Sequence, residues 1–459
     1  MQKYLNHVFV AELVLFFLII FGVVPRQFAF ALAGILIVYS LLASTEDATV
    51  LFVRSIPLFI ALPITQNFDN FNTWRIIAII IFIKFSIFNF KFSIKSKFSI
   101  LLIILLAIAI LSVFVAQDQI IAIKRIIYFI NLSLVPIVIY YLPNRERILR
   151  NLAVPAIIVT VFGFFQLILT YFVDIYQFMD IFGNGIQCRQ FGMEWCRIVT
   201  FKGNTWFAYY GEQLSLRMFS LFTDSHTFPV FLLLSLPALY ALKSRWKWLI
   251  ISFIFLAIIL SGTRGIWAAS IPIALLAILF RKRVPARSLI IFFALFFVAW
   301  PIFNSPQFLL AHGDFRHRIK SVFDFDETSN KARIAIWKAS IVSIRHHPFL
   351  GVGIGNFPVV LRENLELSKA GSSAHNLYLH VAAEMGIFAL AALIWFLWLV
   401  IHKLYALRFT LYDPYLLFLP WVLLYVLTDV ALFDERAFLI TATVIALILS
   451  SGQHQSSLS

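Results

Sequence analysis

Apolar positions along the chain gather into fourteen runs of roughly membrane-spanning length, at about 8–24, 27–43, 50–64, 74–90, 98–116, 122–142, 151–173, 226–242, 247–263, 265–280, 288–303, 376–401, 412–428 and 437–451. A helix crossing the hydrocarbon layer needs about 20 predominantly apolar residues. The pattern therefore predicts an all-α polytopic membrane protein. The third run is short and carries Arg54 and Pro57, which leaves 12 to 14 crossings. Two long polar stretches, 174–225 and 304–374, interrupt the pattern. Within the second, Ile334, Ile336, Trp337, Ile341 and Ile344 recur at helical spacing, which predicts an amphipathic surface helix with Arg333 near its start. The expected organisation is N-terminal membrane helices (1–173), a first loop (174–225), central helices (226–303), a second loop (304–374), C-terminal helices (375–451) and a polar, disordered tail (452–459). The apolar start lacks a small-residue cleavage site and reads as a first membrane helix rather than a removed signal peptide.

Composition supports the membrane class. Of 459 residues, 61% are hydrophobic and only 13% charged, against about 45–50% and 25% in soluble domains. Mean hydropathy is +0.91. So few charges cannot cover a water-exposed surface. The net charge of +15 would point to nucleic acid in a soluble chain, but basic residues collect in the cytoplasmic loops of membrane proteins. No nucleic-acid partner is expected.

The same rule sets the orientation. With the N-terminus inside, the inner segments hold 17 Lys and Arg residues and the short outer ones hold 6, namely Arg26, Arg75, Lys124, Arg125, Arg264 and Arg436. Both termini are then cytoplasmic, and both long polar stretches are extracytoplasmic. Cys188 and Cys196 lie in the first of these, in an oxidising compartment. They either pair and stiffen the loop or remain free thiols.

Charges at helix ends in membranes are candidate functional residues. Arg264 lies in LSGTRGIW, where two runs meet with almost no loop between them. Arg217 lies in LSLRMFSLFTDSHTFP, before the polar cluster Asp224, Ser225 and His226. His375 opens the run at 376, with Ser372 or Ser373 as candidate caps. The topology brings Arg217, Arg264, Arg333 and His375 to one face from four segments. Arginines suit bidentate phosphate contacts in a partly dry site, and histidine suits proton transfer near neutral pH. The set suits a diphosphate with a general base beside it. Each residue also has a plainer reading as an interfacial anchor or cap. GVGIGN (351–356) reads as a tight turn, and Asp324, Asp326 and Glu327 read as a solvated acidic patch. Glu384 lies nine residues beyond His375, about 13 Å deeper at 1.5 Å per residue and half a turn out of phase. It reads as a structural hydrogen-bonding group.

The stretch 330–390 resembles the shared signature of bacterial O-antigen ligases and Wzy-type O-antigen polymerases. NKARIAIWKASIVSIRHHPFLGVGIGNFP carries an Arg followed by Trp, then Pro-x-x-Gly-x-Gly-x-Gly-x-Phe. AHNLYLHVAAEMGIFAL carries His-Asn-x-x-Leu and Glu-x-Gly. LSGTRG resembles the family's intramembrane Arg motif. LRMFSLFTDSHTFP resembles its Arg-containing segment, with Asp224-Ser225-His226 in place of the usual Pro-Asn pair. The resemblance implies a GT-C-like membrane glycosyltransferase of the bacterial inner membrane, without cofactor or metal, that inverts the anomeric configuration. Its donor would be a glycan on undecaprenyl diphosphate, and its acceptor a hydroxyl of lipid A core, another glycan or a protein. His375 would be the catalytic base. Arg264, Arg333 and Arg217 would bind diphosphate, and Asn376 and Glu384 would support them. Ligase and polymerase readings remain open. A non-enzymatic lipid-glycan transporter is the rival class, and it would want charges along an internal path.

Overall fold

The computed structural model describes residues 2–65, 68–69, 71–89, 97–193, 195–196, 205–210, 213–279, 286–310, 314–322, 324, 327–362, 373–407 and 410–451. Asp326, Ser372 and the polar tail, each given an expectation above, lie outside the described residues.

Each of the fourteen apolar runs forms a helix. They are α1 (Leu5–Ile20), α2 (Phe28–Leu42), α3 (Thr45–Ser55), α4 (Trp74–Asn89), α5 (Lys97–Ser112), α6 (Gln119–Tyr141), then, after the short α7 (Arg145–Asn151), α8 (Ala153–Leu169), α9 (Thr227–Tyr240), α10 (Lys247–Leu260), α11 (Arg264–Leu279) and α12 (Ala286–Asn304). An amphipathic helix, α13 (Thr328–His346), precedes α14 (Leu377–Ala406), α15 (Tyr415–Tyr425) and α16 (Glu435–Ser450). Among the described residues, five helical stretches are long and apolar enough to cross a membrane on length and composition alone. Strands are confined, among the described residues, to two small antiparallel hairpins, Ala61–Leu62 with Phe71–Asn72 and Phe207–Tyr210 with Gln213–Leu216. The protein is an all-α polytopic membrane protein.

The third run departs from a simple span. α3 stops after 11 residues, two residues before Pro57, and a 3-10 turn at Ile56–Leu58 leads into the extended Ala61–Leu62. Exposed carbonyls of such a broken helix need donors, because lipid offers none. Arg436, fully buried in the first turn of α16, donates to the carbonyls of Ile56 and Phe59. Gln190 donates to those of Pro57 and Phe59.

Polar contacts between elements gather at two ends of the bundle, and they keep the alternation of the sequence. At one end Arg147 pairs with Glu46 at 2.9 Å and Asp47 at 2.5 Å, and Lys84 caps the C-terminal carbonyls of α2. At the other, Arg26 pairs with Asp69 at 2.6 Å, and Glu435 accepts from Asn72 and the Trp74 indole, both at 2.8 Å. In the first loop Cys188 and Cys196 form a disulfide.

Two irregular segments shape the second end. Residues 217–222 run buried between helices: the Met218 N–H donates to the Leu260 carbonyl, and Gln166 accepts from the Phe219 and Ser220 N–H groups. The glycine-rich stretch 351–356 is a turn, as its sequence predicts, and it also repairs a break in α14. Gly386 has φ +84°, which interrupts the helix. Ile387 N–H then donates to the Pro348 carbonyl (2.8 Å). Val352 and Gly353 N–H donate to the Ala383 and Glu384 carbonyls, both at 2.9 Å. Gly351 and Gly386 have backbone where a Cβ would sit, so both the positive φ and the close approach require glycine there.

Candidate active site

His375 projects from the junction between the second loop and α14, and the residues on both sides of it are tied. The Ala374 carbonyl accepts from the Trp337 indole of α13 at 2.9 Å. The Ala374 N–H donates to His380 Nδ1 at 3.3 Å. Asn376, not Ser373, caps α14: its Oδ1 accepts from the Tyr378 and Leu379 N–H groups at 3.0 Å. Ser373 Oγ instead accepts from the His375 N–H at 3.4 Å. Asparagine wins the cap because its oxygen reaches two free N–H groups at the helix start. Leu377 N–H is drawn 2.8 Å onto the Val426 carbonyl. Between these anchors His375 adopts φ +45°, a left-handed conformation that costs a non-glycine residue about 1–2 kcal/mol. The His375 Nδ1 is buried and has no hydrogen-bond partner among the described residues. Outliers of this kind collect at functional sites.

Glu384 braces this junction from below. Its carboxylate meets His380 Nε2 at 3.3 Å and accepts from the Phe357 N–H at 3.1 Å. His380 stacks on Phe357, with centroids 4.5 Å apart. The out-of-phase placement read from the sequence is thus a chain from Glu384 through His380 to the peptide before His375.

Arg333 lies near the start of α13, which Glu327 caps, and acts electrostatically on His375, Asp429 and Tyr425. Its guanidinium has no hydrogen-bond or ion-pair partner among the described residues. Arg217 stands at the head of the buried segment 217–222. It donates to the Ser261 carbonyl and to Thr263 Oγ1, both at 3.3 Å, and its two Nη atoms lie 3.4 Å from His226 Nε2. On its other side His226 Nδ1 lies 2.8 Å from Asp429. His226 thus bridges Arg217 and Asp429 through its two ring nitrogens. Asp429, His226 and Arg217 thereby form one relay, with the Tyr425 hydroxyl 3.2 Å from His226 Nδ1.

Arg264 is placed differently. Its Nη1 donates to the Ser321 carbonyl and hydroxyl, both at 3.0 Å, and its Nη2 pairs with Glu327 at 3.1 Å. Glu327, expected in a solvated patch, is instead the link between α11 and the cap of α13. The structure thus gathers Arg217, Arg333 and His375 around Asp429 and turns Arg264 toward the second loop.

Burial pushes the His375 pKa below its ordinary 6.5. Asp429 opposes this, and Arg333, His226 and His380 reinforce it. For Asp429, burial disfavours the carboxylate, yet His226, His375 and Arg333 outweigh it and hold the pKa well below the usual range. The site therefore keeps a neutral imidazole beside a fixed carboxylate and an unpaired arginine. His226 and Asp429 are neighbours in this candidate site that the sequence gave no reason to join. Their only signal was polarity at the edges of two apolar runs.

An apolar groove of about 450 Å³ opens between α11, α14 and α15. It is lined by Ile273, Tyr378, Tyr405, Pro420 and Leu427 among others. Tyr378 lies one turn from His375.

Residues 249–394 match the Wzy_C family model, described as O-antigen ligase. A comparison with curated proteins gives no match. The matched segment runs from the first turn of α10 into the middle of α14 and contains Arg264, Arg333, His375, Asn376 and Glu384. This match over residues 249–394 supports the Wzy_C, O-antigen ligase, family, which suggests an enzyme acting on glycans.

Proposed function

We propose that the protein transfers a glycan from an undecaprenyl-diphosphate carrier to an acceptor hydroxyl at the extracytoplasmic face of the bacterial inner membrane, with inversion at the anomeric carbon. The observation that carries this reading is the juxtaposition of His375, strained and with an unpartnered ring nitrogen, and Arg333, an unpartnered guanidinium. The charge asymmetry of the loops and the Cys188–Cys196 disulfide support an outer location, since disulfides persist in oxidising compartments.

In this mechanism the acceptor O–H gives its proton to the neutral His375 imidazole as its oxygen attacks the anomeric carbon. The bond from that carbon to the diphosphate oxygen breaks, and undecaprenyl diphosphate leaves with one more negative charge. Arg333 and Arg217 face that developing charge, where fixed cations help most. Arg264 holds the second loop against α11 and so carries Arg333 into place, and Asn376 and Glu384 hold the His375 junction. The apolar groove beside Tyr378 offers the prenyl chain a lateral path. A base of this kind contributes about 10²–10⁴-fold.

The test is incubation of the purified protein with an undecaprenyl-diphosphate glycan and candidate acceptors. Formation of a transferred product supports the reading and names the acceptor. Movement of intact donor across a sealed bilayer without transfer would favour a transporter.

A further inference from the structure

A second cationic cluster at the same end of the bundle is not used by this mechanism. Arg75 is the second residue of α4, and its guanidinium lies 5.2 Å from the Trp74 ring, 5.7 Å from Tyr128 and 5.8 Å from Phe71. Arg125, in the second turn of α6, lies 5.9 Å from the same Tyr128 ring. Both are half-buried. Neither has a hydrogen-bond or ion-pair partner among the described residues, and Arg75 Nε is buried and unsatisfied. The neighbouring carboxylates are engaged elsewhere. Glu435 accepts from Asn72 and Trp74, Asp434 caps α16, and Glu384 holds His380 and the Phe357 N–H.

We propose that Arg75 and Arg125 form a second phosphate seat, which takes the phosphate of a membrane-anchored acceptor lipid; the acceptor assignment rests on the transfer reading above. Aromatic faces neutralise part of a guanidinium's charge but accept none of its five N–H groups. A buried unsatisfied donor calls for a missing acceptor. Placing a cation in the first turn of α4 also works against the helix dipole, so the positive potential there favours an anion.

A lipid fits better than a soluble anion. Below Arg75, at successive i+4 positions, Ile79, Ile83 and Ile87 are 40%, 52% and 71% exposed, an apolar stripe for a hydrocarbon chain. The seat also adjoins the base. The Tyr128 hydroxyl donates to the Phe433 carbonyl at 3.5 Å, and the Phe433 ring packs 4.9 Å from His380, which holds the peptide before His375. Two lipid phosphates would then flank His375 from two sides.

The experiment counts bound undecaprenyl diphosphate by native mass spectrometry on the full chain in phosphatidylcholine nanodiscs. This readout needs no transfer, so it stands apart from the test of activity. Wild type should bind two molecules. The double variant Arg75→Gln/Arg125→Gln should lose one, with about tenfold weaker binding per arginine removed. Arg333→Gln should weaken only the other. Arg75→Lys/Arg125→Lys, which keeps the charge and covers the case where the Gln variant misfolds, should retain two molecules with reduced affinity. Unchanged stoichiometry in the double Gln variant, or loss of the second molecule in the Lys variant, would overturn the seat. Equal occupancy by phosphatidylglycerol in mixed nanodiscs would assign it to bulk headgroups and overturn the acceptor assignment.

Discussion

Arg264→Ala separates two roles that sequence alone runs together. In the structure Arg264 makes two hydrogen bonds to Ser321 and one ion pair to Glu327, with side chains 10% and 30% exposed at the pair. A hydrogen bond to a charged group nets about 1.5–3 kcal/mol, and the exposure of Glu327 reduces that to about 1–2 kcal/mol. The Ser321 contacts add about 1 kcal/mol. Arg264→Ala should therefore free the segment 318–332 by about 3 kcal/mol, roughly a hundredfold in its opening equilibrium. Amide exchange across the start of α13 reads this directly, because local opening is measured apart from global unfolding. Glu327→Gln should show a smaller increase. The double variant should fall short of additivity by about 1–2 kcal/mol, as expected for residues in contact. Unchanged exchange in 318–332 together with a drop in turnover in Arg264→Ala would refute this structural role. That result would place Arg264 on the leaving group itself.

Other outcomes follow from the same structure. Cysteines at Tyr209 and Asp324 should react with an impermeant thiol reagent in intact cells, and a cysteine at Ser244 should not; the reverse pattern would invert the topology. Because burial lowers the His375 pKa, the proposed base should be neutral at pH 7. Turnover should fall only as pH drops through a value below 6.5, and a limb at or above 6.5 would contradict the burial argument. His380→Ala should leave that acid limb in place. Gly386→Ala puts a Cβ onto the Phe349 carbonyl at positive φ, so it should lower the thermal midpoint markedly and detach the 348–356 loop; a midpoint equal to wild type would refute that packing.

The periodicity of apolar residues carried most of the fold, because lipid imposes helices wherever the chain crosses. Fourteen apolar runs became fourteen helices. The break after Ser55 was foreshadowed by Pro57, but its stabilisation was not, since Arg436 comes from 380 residues later. The site was legible to a lesser degree. Arg217, Arg333 and His375 stood out as costly charges at one face. The pairing of Arg264 with Glu327 was hidden because an acidic loop residue looks the same whether solvated or paired. His226 and Asp429 were visible as polar residues, but nothing local reveals a 2.8 Å contact across 203 positions. Likewise, a glycine-rich turn does not announce that it will repair a broken helix.

The central claim is that His375 takes the acceptor proton during glycan transfer. The most direct measurement is the single-turnover rate of product formation by purified His375→Gln protein loaded with undecaprenyl-diphosphate glycan. The amide keeps hydrogen bonding but cannot carry the proton. Transfer should slow by about 10²-fold or more with donor binding unchanged. A rate near that of wild type would show that His375 only orients the acceptor and that the base lies elsewhere.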